Sequence, residues 1–300
     1  METSRPYYLV NNFVLNFYKV AAWPPGGYAG LMKSAGYPLA TLFFLLLGIA
    51  RGSDDFYAAP GKYTMLLAAT GTAAGIPQGS GRATLTLGKT GKIAIAGLLA
   101  DGESFTASSV ITGGTVKDGC VVDIPLAYPA VTVKRAAGLL SGTLNFVTDP
   151  AACHFYGTLA WTKPEQKRGA YPAAIDTDLD VSGSIYAPPA HGSSALPGFP
   201  GGTLVLSDSG ALSESGSTEL VQDVTLTSHN ALAVTKPPMD GLKVTLTPSN
   251  GVFKGSFLYP IPGKKPKLVE FSGVLFQDLS NGGGFFIGPA GSGIVSLSGS

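Results

Sequence analysis

The chain has 300 residues, a formal net charge of +1 and only 13% charged side chains. That balance leaves no electrostatic footprint for nucleic acid. Apolar residues make up 45%, and the 41 Gly and 22 Pro bring turn-forming residues to about a fifth of the chain, the composition of an ordered, turn-rich β protein of one or two domains rather than a disordered one.

Residues 1–31 are aromatic-rich and unlike the remainder. From Met32 the pattern changes. Lys33 supplies a short positive region, residues 38–50 form an apolar run, and Ala50-Arg-Gly52 places small residues where cleavage needs them. This is the pattern of a secretory signal peptide, and the run is too short for a spanning helix. Residues 32–52 are therefore expected to be a signal peptide with translation starting at Met32. Residues 1–31 are then an upstream extension, and the exported chain begins near Arg51 or Ser53. The alternative is an N-terminal helix with a buried apolar turn.

The remaining chain reads as strands and turns. Gly61-Lys-Tyr-Thr-Met-Leu-Leu is a first strand, 74–81 a loop, and hairpin strands follow to Ile111. Cys120-Val-Val-Asp-Ile-Pro-Leu is a strand placed at a sheet edge, because Pro125 cannot donate to a ladder. Residues 163–168 are a polar loop and 187–202 the longest Pro/Gly/Ser stretch. No segment of the mature region shows amphipathic helix periodicity.

A diverged repeat organises these strands. Val131, Gly138 and Gly142 lie 113 residues before Val244, Gly251 and Gly255, in segments of matching pattern. Phe155-Tyr-Gly157-Thr-Leu159 matches Phe271-Ser-Gly273-Val-Leu275, and Gly169-Ala-Tyr171 matches Gly284-Phe-Phe286. Val181-Ser-Gly-Ser184 matches Leu297-Ser-Gly-Ser300, and the segment from Thr84 matches the segment from Thr203. One unit of roughly 115–120 residues thus occurs twice, over 53–180 and 181–300, which points to duplicated β architecture. Within each unit a Thr-rich alternating strand runs into a turn ending in Gly (Gly91, Gly138, Gly210, Gly251) and then into a second strand.

The second arms carry glycines on apolar faces. Phe253, Gly255, Phe257 and Tyr259 share one face, as do Leu140, Gly142, Leu144 and Phe146. Phe155, Gly157, Leu159 and Trp161 repeat the pattern, and so do Phe271, Gly273 and Leu275. Glycine there weakens a strand unless it permits a bend or close packing, and neighbouring aromatics can cover the bared backbone. The expected fold is all-β: antiparallel meanders, two homologous units forming curved sheets or barrels. Whether they make two small barrels or one larger one is open at this point.

Motifs for chemistry are sparse. Cys120 and Cys153 are the two cysteines; in an exported chain they read either as a disulfide or as two buried thiols. Asp176, Asp178 and Asp180 alternate as in a calcium loop, but the glycine is misplaced and no Glu closes the loop, so a solvated strand face is expected. His154, His191 and His229 are isolated, without zinc spacing. No G-x-S-x-G elbow occurs, and the Gly-rich run 282–288 lacks the Lys-Ser/Thr pair of a phosphate loop. Glycosidase chemistry needs only two facing carboxylates; Glu103, Asp123, Glu165, Glu214 and Glu270 are available. No catalytic, cofactor-binding or metal-ligating residue is assigned and no cofactor is expected. The site-like residues are structural: Gly138, Gly142, Gly157, Gly251, Gly255 and Gly273.

The stretch 242–300, through Asn250-Gly-Val-Phe-Lys-Gly-Ser-Phe257, Glu270-Phe-Ser-Gly-Val-Leu275 and Gly282-Gly-Gly-Phe-Phe-Ile-Gly288, resembles the C-terminal Gly/aromatic β-repeat module of uncharacterised exported bacterial surface proteins. Residues 131–184 resemble it more loosely. The resemblance implies a β-repeat fold at a bacterial cell surface, in the periplasm or outside the cell, and brings no catalytic residues. The expected function is a non-enzymatic surface scaffold or binding module, with a polysaccharide or protein as its surface ligand and no nucleic acid. The alternatives are a carbohydrate-binding or carbohydrate-active protein and, third, an outer-membrane β-barrel. Glycines and aromatics sharing a face, with several short strands, argue against integral membrane association.

Overall fold

The computed structural model describes residues 58–300 apart from 113–117, 129–131, 133, 148–153, 209–211, 213–216, 236–240, 290 and 300. The expected signal peptide and upstream extension lie outside the described residues. The fold is all-β, and the described residues contain a single helical turn, the 3-10 turn Gln277–Leu279.

Two eight-stranded antiparallel sheets follow one another along the chain. The first holds β1 (Gly61–Ala69), β2 (Ser80–Leu87), β3 (Lys92–Leu98), β4 (Ser104–Val110), β5 (Asp118–Tyr128), β6 (Ala136–Phe146), β7 (Phe155–Lys163) and β8 (Ile175–Tyr186). The second holds β9 (Gly202–Ser207), β10 (Glu219–Leu226), β11 (Leu232–Val234), β12 (Lys243–Thr247), β13 (Val252–Tyr259), β14 (Lys267–Phe276), β15 (Asn281–Gly288) and β16 (Gly291–Gly299). Each is a meander whose last strand returns to its first: β8 pairs β1 and β16 pairs β9. The ends of the two ladders, β4 beside β5 and β11 beside β12, come together and leave each barrel nearly closed. The duplication therefore makes two small barrels. Pro125 lies on β5, an end strand of its ladder, the kind of position to which proline is confined in sheets.

Strand alternation sorts the side chains. In the first barrel Tyr63, Met65, Leu85, Ile95, Leu144, Phe146, Phe155 and Trp161 are buried in one cluster. In the second, Leu206, Phe253, Phe257, Phe271, Phe286 and Val295 form another. An eight-stranded barrel has an interior just wide enough for side chains to fill.

The interior glycines sit directly across the ladder from the large side chains. On β6 and β7, Gly142 pairs with Leu159 and Leu144 with Gly157. On β13 and β14, Gly255 pairs with Phe271 and Phe253 with Gly273. A Cβ at Gly255 would lie 2.2 Å from the Phe271 ring, and one at Gly273 would lie 2.2 Å from Phe253. The same relation joins Gly183 to Phe155 and Gly293 to Phe286, at 2.0 and 2.1 Å. Each ring thus lies over the backbone of the neighbouring strand, in space that any side chain would occupy.

The matched hairpins differ in their turns. Gly251 closes the turn after β12 with φ +72°, and its N–H donates to the Thr247 carbonyl at 3.0 Å. Gly91 closes the turn after β2 with φ +75°, its N–H donating to the Gly88 carbonyl at 3.0 Å. In the first copy, however, the strand paired to β6 is β5, and Val131, where the matching arm is expected to start, lies outside the described residues. Gly138 consequently lies inside β6, opposite Leu126, and is not a turn glycine. Gly169-Ala-Tyr171 falls in the loop after β7, so its match to the strand at Gly284 does not extend to structure. β8 runs through Asp180 to Tyr186, and residues 187–201 connect the barrels. Aligned by their seams, β2, β6 and β7 fall on β9, β13 and β14, the pairs that the glycine pattern matches. The place of β1 in the first ladder is then held by β16 in the second.

The barrels are joined side to side. Outer-face residues of β1 meet outer-face residues of β13 and β14: Leu66 packs on Val252, Val274 and Phe276. The Thr64 hydroxyl donates to the Leu275 carbonyl at 2.6 Å, and Arg82 Nε donates to Ser272 Oγ at 2.9 Å. The Tyr186 hydroxyl donates to Pro248 O at 2.7 Å, and Gln277 holds both the N–H and the carbonyl of Ala187. This explains why β14, from Phe271 to Phe276, is buried without alternation.

The packing over glycine yields a comparison. Gly273→Ala should destabilise the protein by about 3 kcal/mol in urea unfolding, because ring and backbone must both move. Gly263→Ala, whose φ is +69° but whose surroundings are open, should cost about 1 kcal/mol. Equal costs would contradict the packing described.

Candidate functional site

Two places concentrate polar chemistry: the end of the first barrel and a groove beside the second.

At the barrel end, the turn between β3 and β4 supplies Asp101 and Glu103, β5 ends in Tyr128, and β7 ends in Lys163. Lys163 continues the inward parity of Phe155, Leu159 and Trp161, so its ammonium is carried to the mouth of an apolar interior. Its Nζ lies 3.7 Å from Asp101 Oδ2, with the two side chains only 2% and 4% exposed. It also donates to the Tyr171 carbonyl. The Tyr128 and Tyr171 rings flank it, with centroids at 5.6 and 5.9 Å, within cation–π range.

The hydrogen bonds run inward from there. Trp161 Nε1 donates to the Tyr128 hydroxyl at 3.2 Å, and that hydroxyl donates to the Asp101 carboxylate. Asp101 Oδ1 accepts the Glu103 N–H at 3.0 Å. Burial raises the Asp101 pKa and lowers that of Lys163, while each charge opposes the shift of the other. Burial, reinforced by the Asp101 charge, also pushes the Tyr128 phenol far up. A cavity of about 220 Å³ remains, bordered by Glu103, Gln166 and Tyr171. Glu103 is raised by burial and by Asp101. With the ammonium and carboxylate already paired between rings, this cluster is built to seal the barrel end. Tyr171 extends the seal to the second barrel, where its hydroxyl accepts the Ser292 N–H.

The second place is an open groove of about 830 Å³. Its floor is the outer face of β12, β13 and β14, and the turn after β3 overhangs it at Leu98 and Gly102. Lys243, Ser256 and Glu270 form one row across the three strands; Thr245, Lys254 and Ser272 form the next. Lys267 stands at the start of β14.

The other expected candidates disperse. Asp176, Asp178 and Asp180 are exposed along β8, in register with Thr162, Ala160 and Thr158 of β7. No group of three or more metal-ligating side chains occurs among the described residues. His154 lies between the barrels, where Nδ1 accepts the Ile185 N–H at 3.2 Å and stands 3.5 Å from Asp278; burial lowers its pKa and Asp278 opposes this. His191 and His229 are exposed. Glu165 is in the loop after β7, Asp123 is on β5, and Glu214 lies outside the described residues. Cys120 is a buried free thiol on β5, and burial pushes its pKa up to about 11. Cys153 lies outside the described residues. Sequence reasoning missed Asp101 and Lys163. The available signal was Lys163 itself, a cation at an inward position of an apolar strand.

Compared with known proteins, the chain matches no family model, no curated protein and no solved structure.

Asp101→Asn would leave the Lys163 ammonium buried beside a neutral amide. It should cost about 3 kcal/mol or more in urea unfolding at pH 7, and the double replacement Asp101→Leu, Lys163→Met should cost clearly less. A double variant as unstable as the sum of its singles would show that the pair does not act as a unit.

Proposed function

We propose that this chain is an exported, non-enzymatic double-barrel module that works as a binding or scaffold element at a cell surface. The observation that carries the reading is the placement of side chains. Rings and aliphatics fill both barrel interiors, and the deepest charged pair is spent on closing one end. Ligand recognition then falls to the outer surface. A membrane barrel needs the reverse arrangement, an apolar outer band around a polar interior. Here Asp176, Asp178 and Asp180 line an outer face of one barrel and Lys243 and Lys254 an outer face of the other. The signal-peptide pattern at residues 32–52 supports export.

Purified protein should be screened against immobilised and soluble polysaccharides for retention and for release of reducing ends. Retention without turnover is the expected result. Hydrolysis would overturn the reading and point to Glu103 or Glu270 as the carboxylates to test first.

A further inference from the structure

We infer that the groove beside β12–β14 binds an acidic polysaccharide, a chain in which carboxylates alternate with hydroxyls. The inference deepens the binding reading and rests on it.

The groove concentrates charge in a chain whose net charge is only +1. Lys243, Lys254 and Lys267 come from three adjacent strands, and Glu270 is the single carboxylate of the lining. None of the three lysines makes an ion pair among the described residues. Neighbouring rows on a strand face are about 6.5–7 Å apart and adjacent strands about 4.8 Å. Lys243 and Lys254 therefore sit diagonally on adjacent strands, and with Lys267 they spread their ammoniums along the groove, a placement that suits successive charges along a polymer.

The uncharged lining narrows the ligand further. Thr245 and Ser256 lie between the lysines and offer hydroxyls that can both donate and accept. Glu270 accepts hydrogen bonds from hydroxyl groups but repels closely spaced anions. Leu268, 58% exposed on β14, adds an aliphatic ledge to a lining that also includes Leu98. Ammoniums, hydroxyls, one acceptor carboxylate and an apolar ledge suit the alternating charges, hydroxyls and C–H faces of a uronate polymer. They suit a uniformly charged polyphosphate poorly.

The test uses the full-length protein in affinity electrophoresis and calorimetry, with polygalacturonate as probe and with dextran and polyphosphate as comparisons. Polygalacturonate should bind, more weakly as salt rises, and dextran should not. Lys243→Gln, Lys254→Gln and Lys267→Gln should each weaken binding roughly two- to fivefold, and the triple variant by at least about tenfold. Lys254→Arg should retain binding, and circular dichroism should show that all variants remain folded. A folded triple variant with undiminished affinity overturns the inference, as does polyphosphate binding more tightly than polygalacturonate. Retention of dextran alone overturns the acidic ligand while leaving the binding module intact. Hydrolysis of any probe overturns the binding reading itself.

Discussion

The structure depends on one packing relation, a large side chain lying across a glycine of the adjacent strand. Closing eight strands leaves an interior just wide enough for side chains to fill, and here the large side chains take the space that a Cβ on the facing residue would need. Removing one Cβ at a pairing site lets the partner ring lie flat over bare backbone and lets the strands twist closely there. The relation is reciprocal on β6–β7 and on β13–β14, where each strand gives one glycine and receives one cover. Leu159 and Leu144 are the covers in the first barrel, Phe271 and Phe253 in the second. The duplication has kept the glycines and changed the covers, as expected if the bared backbone is the fixed requirement and the filling volume is adjustable.

The same economy of space governs the join between barrels. β1 and β14 have no solvent face where they meet, so their outer positions must be small or apolar, or must find a partner. Thr64 and Ser272 are short polar residues with hydrogen bonds across the join, and Gly283 makes room for Leu66. Burying a Leu side chain contributes about 1.5–3 kcal/mol, while each hydroxyl left unpaired there would cost about 1–3 kcal/mol. A join of this kind holds the two barrels in fixed register and keeps the overhang above the lysine groove in place.

Much of this was legible in the sequence. Period-two alternation with Gly-closed turns gave the strands, and the Phe–Gly–Phe and Leu–Gly–Leu faces gave the curvature, because both depend only on neighbours along the chain. The pairing partner of β6 was not legible. The Val131 segment matches Val244 in pattern, yet the longer strand from Asp118 offers eleven paired positions, and a local match cannot weigh that alternative. The seal of Asp101, Tyr128, Trp161 and Lys163 was hidden for a related reason: its members come from three separate strands or turns and meet only when the barrel closes. The groove was hidden too, since Lys243, Lys254 and Lys267 read singly as ordinary solvated residues.

The central claim is that rings and glycines are coupled across the ladder, and a double-mutant cycle on Phe155 and Gly183 measures it most directly. Gly183→Ala should be strongly destabilising in the native background, because the new methyl would sit within the Phe155 ring. In the Phe155→Leu background the same change should cost much less. The predicted outcome is a coupling energy of at least about 1 kcal/mol between the two positions. Costs that add within about 0.5 kcal/mol would show that the ring does not depend on the bared backbone, and would contradict the account.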